Sequence, residues 1–180
     1  MGGESMNRIS TRTLTLLAMF TAAQIILARV LGFYLTDTLR VSFEYFVIVL
    51  AGICLGPFGG AVVGGLGDFI GSTILSGLGF FPPFILGPIL AGFTAGVLAR
   101  YVFRGSVDAW WKVMVITCVS ELLGNLLCGS WASDLWMGTG FLALLIMRTP
   151  VKLGIMIIDG QFVYAVHRAL RPLLRRGDRM

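Results

Sequence analysis

Residues 56–72 read GPFGGAVVGGLGDFIGS. The glycines Gly56, Gly60, Gly64, Gly67 and Gly71 recur at spacings of four, four, three and four. That is close to the helical period, so on a helix they form one face without side chains. A second stripe, Ala61, Gly65, Asp68 and Ser72, runs beside it and sets one carboxylate among small residues. In lipid, apolar side chains have no reason to leave the tails, and helices associate by close approach of their backbones. The glycine face is therefore read as a packing face, which can also admit a flat ligand. A carboxylate inside such a helix is a functional candidate. The plainer alternative for Asp68 is a structural hydrogen bond to Ser72 or to a neighbouring helix.

The surrounding chain has the same solvent. Its 180 residues are 57% hydrophobic and 13% charged, its mean hydropathy is +0.89, and its apolar runs are broken at short intervals. A span takes about 20 apolar residues to cross a hydrocarbon core of about 30 Å. The length therefore suits six tightly connected helices with no separate soluble domain. The expected fold is an all-α integral membrane protein with six transmembrane helices. It forms a single domain over 1–180, with 1–12 and 171–180 as cytoplasmic tails. The spans are expected near Thr13–Leu31, Val41–Leu55, Phe58–Leu75, Phe84–Phe103, Ala109–Gly129 and Leu144–Leu170. Gly56-Pro57 marks a tight hairpin between the second and third. The first apolar segment runs on from Leu14 to Val30 without an A-x-A-like cleavage site, and is read as a retained helix.

Basic residues set the expected topology. An even number of spans puts both termini on one side, where Arg8, Arg12, Arg100, Arg104, Lys112, Arg168, Arg171, Arg175, Arg176 and Arg179 also fall. These are ten of the fourteen basic residues, so both termini are expected in the cytoplasm. The net charge of +5 sits at helix ends and tails, which suits anionic lipid headgroups and not nucleic acid.

Arg29, Arg40, Arg148 and Lys152 oppose the trend by lying at the outer face. If the bundle gathers the first, second and sixth spans, they form a cationic mouth; as single residues they are also explained as snorkelling anchors. Arg148 and Lys152, one helical turn apart, repel unless an anion or a carboxylate lies between them. Glu44, Asp68 and the pair Glu121 and Asn125 lie within apolar runs of the same outer half. Such groups must face the bundle and find cations, donors or a polar ligand. The outer loops carry Phe80, Phe81 and Trp131. An aromatic belt at headgroup level accounts for most such rings, and stacking on a planar ligand is the alternative.

Several chemistries have no residues to run on. Cys54, Cys118 and Cys128 lie in apolar runs without C-x-x-C spacing and read as core filler. The one histidine, His167, sits among arginines at the cytoplasmic end, which argues against a histidine-based triad and a multi-histidine zinc site. Lys112 and Lys152 follow Trp111 and Val151, so no phosphate-binding G-x-x-x-x-G-K-[ST] loop exists. No catalytic residue, metal or cofactor is expected. The chemistry is capture.

Arg40-Val41-Ser42-Phe43, the run from Ala51-Gly52 through Gly56-Pro57-Phe58-Gly59-Gly60 to Gly67-Asp68-Phe69-Ile70-Gly71, and Phe80-Phe81-Pro82 resemble the substrate-binding components of energy-coupling-factor vitamin transporters. The folate-specific group is the closest in pattern, and Arg148 and Lys152 match an arginine and a lysine at the same place in it. The specific motifs cover mainly Arg40–Gly96. The resemblance implies a small protein of the bacterial cell membrane that binds a vitamin on its outer side. It also implies docking on a transmembrane coupling subunit that carries two ATPase subunits, and toppling in the membrane to deliver the ligand. An A-x-x-x-A patch for that docking is matched by Ala18 and Ala22, with Ala23 and Gln24 as a weaker extension. Ordinary packing within the bundle is the alternative for this patch.

Folate also suits the residue inventory. Its pterin edge offers donors to a buried carboxylate such as Asp68 or Glu121, and Asn125 supplies both a donor and an acceptor. Aromatic rings can stack on the pterin, and outer cations can hold the glutamate tail. Glu44 alternatively pairs with Arg40 or Arg148. Riboflavin or a queuosine precursor is the second reading within the same fold. A stand-alone channel or exporter and a membrane enzyme are the rivals from other classes.

Overall fold

The computed structural model describes residues 11–29, 32–36, 39–75, 82–104, 107–138 and 140–177, with only the backbone described at 29, 33–36, 39–41, 75 and 171–177. Phe80, Phe81 and most of the expected tails lie outside the described residues, as do the side chains of Arg29 and Arg40. Helix α1 spans Thr11–Arg29. A short antiparallel hairpin follows, β1 Phe33–Thr36 and β2 Leu39–Val41, pairing Phe33 with Val41 and Tyr34 with Arg40. Next come α2, Glu44–Ile70, carried on by a π-helical turn Gly71–Leu75, and a 3-10 turn Pro82–Ile85 leading into α3, Leu86–Val97. Then α4, Trp110–Glu121, continues through a π-helical stretch Leu122–Cys128 into α5, Gly129–Met137, and α6 spans Phe141–Gly177.

The fold is helical, as expected, with the hairpin added in the first linker. Five helical stretches are long and apolar enough to cross a membrane: Thr11–Ala28, Glu44–Ile74, Pro82–Val102, Trp110–Met137 and Phe141–Leu170. The side chains they leave exposed are large and apolar, among them Phe58, Ile74, Leu142 and Ile146. Lipid tails are the solvent such a surface calls for.

Helix α2 breaks at Gly56, whose φ of 85° and ψ of −176° lie in a region essentially restricted to glycine. Pro57 then starts the second half at a position where its missing N–H costs nothing. The chain folds back on itself there, because a Cβ placed on Gly60 would lie only 2.7 Å from the Cα of Gly52. Helix α3 presses into the cleft between the halves. A Cβ on Gly52 would meet the Gly92 carbonyl oxygen at 2.6 Å, and one on Gly92 would overlap the Gly60 carbonyl. Further along, Gly64 lies against Pro88 and Gly96 against Pro57. Small residues win here because dispersion at backbone contact distance is the attraction left when water is absent.

Helix α1 leans on the second half of α2. Gln24 is fully buried, its Nε2 donates to the Gly64 carbonyl at 3.4 Å, and its amide fills the space that a side chain at Gly67 would need. This corrects the expectation that Gln24 extends the docking patch. Ala18 and Ala22 keep to the exposed side of α1. Helix α6 runs antiparallel to α4 and α5: Trp110 Nε1 donates to Gln161 Oε1 at 3.1 Å, Gly160 abuts Met114, and Arg148 Nη1 donates to the Gly129 carbonyl at 3.3 Å. Phe43 and Phe46 of the α2 entry pack on Phe162 at 6.5 and 5.9 Å between ring centroids. A core of Val49, Leu50, Val113, Ile116 and Val163, with Phe20 against it, joins α1, α2, α4 and α6.

The stretch Trp131 to Phe141, expected as an outer loop, is helical as far as Met137. Gly138, with φ 64°, ends the helix by donating its N–H to the Asp134 carbonyl at 2.7 Å, and the Asp134 side chain accepts from the Gly140 N–H at 2.8 Å. Gly138 and Asp134 together form a tight helix stop within the stretch expected as loop. Trp131 accordingly stands on α5 and is exposed.

Candidate functional site

An apolar bundle can bury a charge only beside a partner, so its buried polar groups mark where structure has been built for them. Glu121 and Asp159 are fully buried, Lys152 is 7% exposed and Glu44 8%. Three helices deliver them. Glu44 opens α2, where its Oε1 accepts from the Ser42 hydroxyl at 3.1 Å. Glu121 ends α4, immediately before the π-helical stretch. Lys152 and Asp159 lie on α6, seven residues apart and so on one face.

Lys152 is the hub. Its ammonium interacts with Glu44, Glu121 and Asp159, and it feels the repulsion of Arg148 one turn away. Lys152 therefore does have carboxylates beside it, which offsets the repulsion between the two α6 cations. Glu121 and Asp159 meet directly across the α4–α6 interface. The two share a carboxyl–carboxyl hydrogen bond, and no described N–H or hydroxyl donor reaches either of them. Tyr45, also buried, carries its phenol within electrostatic reach of Glu44, Asp68 and Glu121. Arg148 is half-buried and anchored to the Gly129 carbonyl.

The structure thus brings together Glu44, Glu121, Arg148 and Lys152, with Asp68 joining through Tyr45. Asp68 is half-buried, and the Ser72 hydroxyl donates to its main-chain carbonyl at 2.6 Å. Asn125 is half-buried within the π-helical stretch, whose wider turn interrupts the spacing of four that was expected to align it with Glu121. Trp131 is exposed on α5.

Asp159 was missed in the sequence. It sits in Ile157-Ile158-Asp159-Gly160-Gln161, towards the end expected to face the cytoplasm. The available signal was its register, seven residues after Lys152 and eleven after Arg148 on the same helical face. Among the described residues, no group of three or more histidine, cysteine or acidic side chains is placed to hold a metal ion. The three cysteines are half-buried and unbridged.

A family model described as "ECF transporter, substrate-specific component" matches residues 12–166. The folate transporter FolT of Leuconostoc mesenteroides subsp. mesenteroides is 28% identical over 120 residues, which cover 66% of this chain. The match spans 62% of that protein's length. A crystal structure of FolT bound with folic acid superposes with a TM-score of 0.75 at 23% identity, over 87% of this chain and 93% of the other. The S-component for biotin from an ECF-type ABC transporter superposes with a TM-score of 0.69 at 19% identity, over 89% and 95% of the two chains. At these identities the two structures share the fold.

Proposed function

Because this chain belongs to the family of ECF transporter substrate-specific components, we propose that it captures folate or a close relative outside the cell and delivers it to an ATP-driven coupling module. It is a multi-pass membrane protein, not a stand-alone pump. The observation that carries the reading is the buried cluster of Glu44, Glu121, Lys152 and Asp159 inside an apolar bundle, with Arg148 beside it. Such a set is costly in hydrocarbon unless it serves a polar guest. Kinship with a curated folate transporter supports folate as that guest.

In this reading the bundle has six spans with both termini in the cytoplasm. The break at Gly56 divides the longest apolar stretch into an antiparallel pair, and the distribution of basic residues supports the orientation. Arg148 and Lys152 face the glutamate tail, while Glu121 or Asp68 reads the pterin edge. Asn125, Trp131, Phe80, Phe81, Arg29 and Arg40 complete the candidate list from the sequence.

Arg148 supplies the test. A hydrogen bond to a charged group is worth about 1.5–3 kcal/mol, so Arg148→Gln should weaken folate binding by about tenfold or more. Pteroate, which lacks the glutamate tail, should change by less than about threefold on the same scale. Equal losses for the two compounds in a titration of the detergent-solubilised chain would refute the assignment of the tail.

The coupling partners are a transmembrane subunit and two ATPase subunits. The exposed Ala18 and Ala22 offer a smooth surface for repeated docking. Ala18→Leu with Ala22→Leu should leave folate binding unchanged and abolish uptake by vesicles that contain the complete module. Unimpaired uptake would assign this face to lipid.

A further inference from the structure

We propose that Asp159, paired with Glu121, is the residue pair that selects the ligand by its ring, accepting hydrogen bonds from a donor edge made of an amino group and an adjacent ring N–H. The inference rests on the capture reading above and adds to it a specificity residue and a direction of entry.

Two buried acceptor groups stand together here. Asp159 and Glu121 are both fully buried and share a carboxyl–carboxyl hydrogen bond, and no described N–H or hydroxyl donor reaches either of them. Leaving a buried acceptor unsatisfied is costly, and more so when it is charged. Two carboxyls in contact cannot both ionise without a proton or a cation between them. Lys152 offers one ammonium, and Glu44 also draws on it. Three carboxyl groups thus draw on the ammonium of Lys152, and N–H donors are what would satisfy the remaining oxygens.

A planar ring edge carrying an amino group beside a ring N–H supplies donors in the geometry that carboxylates accept. A flavin-type edge, with two carbonyls flanking one N–H, supplies fewer and would set its oxygens against the carboxyls. Along α6 the order is Arg148, Lys152, Asp159. At about 1.5 Å per residue, Asp159 lies about 16 Å from Arg148 along the helix axis and on the same face. A molecule with an anionic tail and a donor-rich head fits this gradient in one direction only, tail at Arg148 and ring at Asp159.

Asp159→Asn is the informative variant. Its amide keeps the shape, removes a carboxyl from an acceptor-rich site, and can donate to Glu121. The melting temperature of the full chain in detergent should therefore be unchanged or higher. Folate affinity, measured by calorimetric titration, should fall by about tenfold to a hundredfold. The 2-desamino analogue of folate, which lacks one donor of the edge, should already bind the unaltered chain at least about tenfold more weakly than folate, and Asp159→Asn should change it by less than about threefold. Glu121→Gln should give the same ring-dependent pattern if Asp159→Asn does not fold.

Loss of affinity by the same factor for both compounds, or unchanged folate binding, would overturn the role of Asp159 and leave the capture reading standing. An unaltered chain that binds neither compound would overturn the capture reading itself, before any substitution is made.

Discussion

Replacing Lys152 by methionine should be the most damaging single change to the site. Lys152 is 7% exposed, and its ammonium is what Glu44, Glu121 and Asp159 share. Removing one partner of a buried ionic group leaves the others uncompensated, at a cost of about 3–5 kcal/mol. Thermal unfolding in detergent should shift down accordingly, and folate binding should fall by about tenfold or more, because the ammonium proposed to face the glutamate tail is lost with its charge-assisted hydrogen bond of about 1.5–3 kcal/mol. The cause can be isolated. Adding Glu121→Gln to Lys152→Met removes one of the stranded carboxylates, so the double variant should recover at least about half of the lost stability, an interaction energy of the size seen for groups in one network. A Lys152→Met chain as stable as the original would mean that the ammonium does not balance this cluster.

The second large effect lies in the α2–α3 seam. Gly92→Val would place a branched side chain against the Gly60 carbonyl and the Ala61 main-chain nitrogen, while the Gly92 carbonyl itself lies against Gly52. The atoms it meets are backbone, so no flexible side chain can yield. Overpacking costs typically about 1–3 kcal/mol, and here relief requires α3 to withdraw from both halves of α2. The expected result is loss of the folded, monodisperse species in size-exclusion chromatography. Gly154 provides the contrast: it stands on α6 with nothing within 4 Å of the space a Cβ would take. Gly154→Ala should be tolerated or stabilising by up to about 1 kcal/mol, the difference in helix propensity. Equal damage at both positions would show that the seam at Gly92 is no tighter than an exposed helix face.

These two expectations differ in how far the sequence announces them. The glycine seam is legible because a helical spacing of small residues has one physical use in lipid, and Gly56-Pro57 marks the break because only glycine tolerates its backbone geometry. Glu44, Glu121 and Lys152 stand out because a charge in an apolar run must be explained. Asp159 carried the same signal but lay past the middle of the expected sixth span, outside the outer half to which the other polar groups pointed. Trp131 was misplaced for the opposite reason: an aromatic, glycine-rich run suggests a loop when considered locally, and it is a helix that Gly138 and Asp134 together end.

The membrane-spanning helical class, the close-packed glycine face and most of the candidate charged residues follow from the amino-acid order alone, because hydropathy, helical spacing and backbone restriction act within a few residues. The tertiary structure decided that α2 folds back around α3, that Gln24 turns inward to Gly64, that the π-helical stretch follows directly on Glu121, and that Asp159 meets Glu121. Those choices depend on which faces of distant segments fit at backbone contact distance. Lipid is indifferent among apolar side chains, so it leaves no imprint of that fit on any single stretch of the chain.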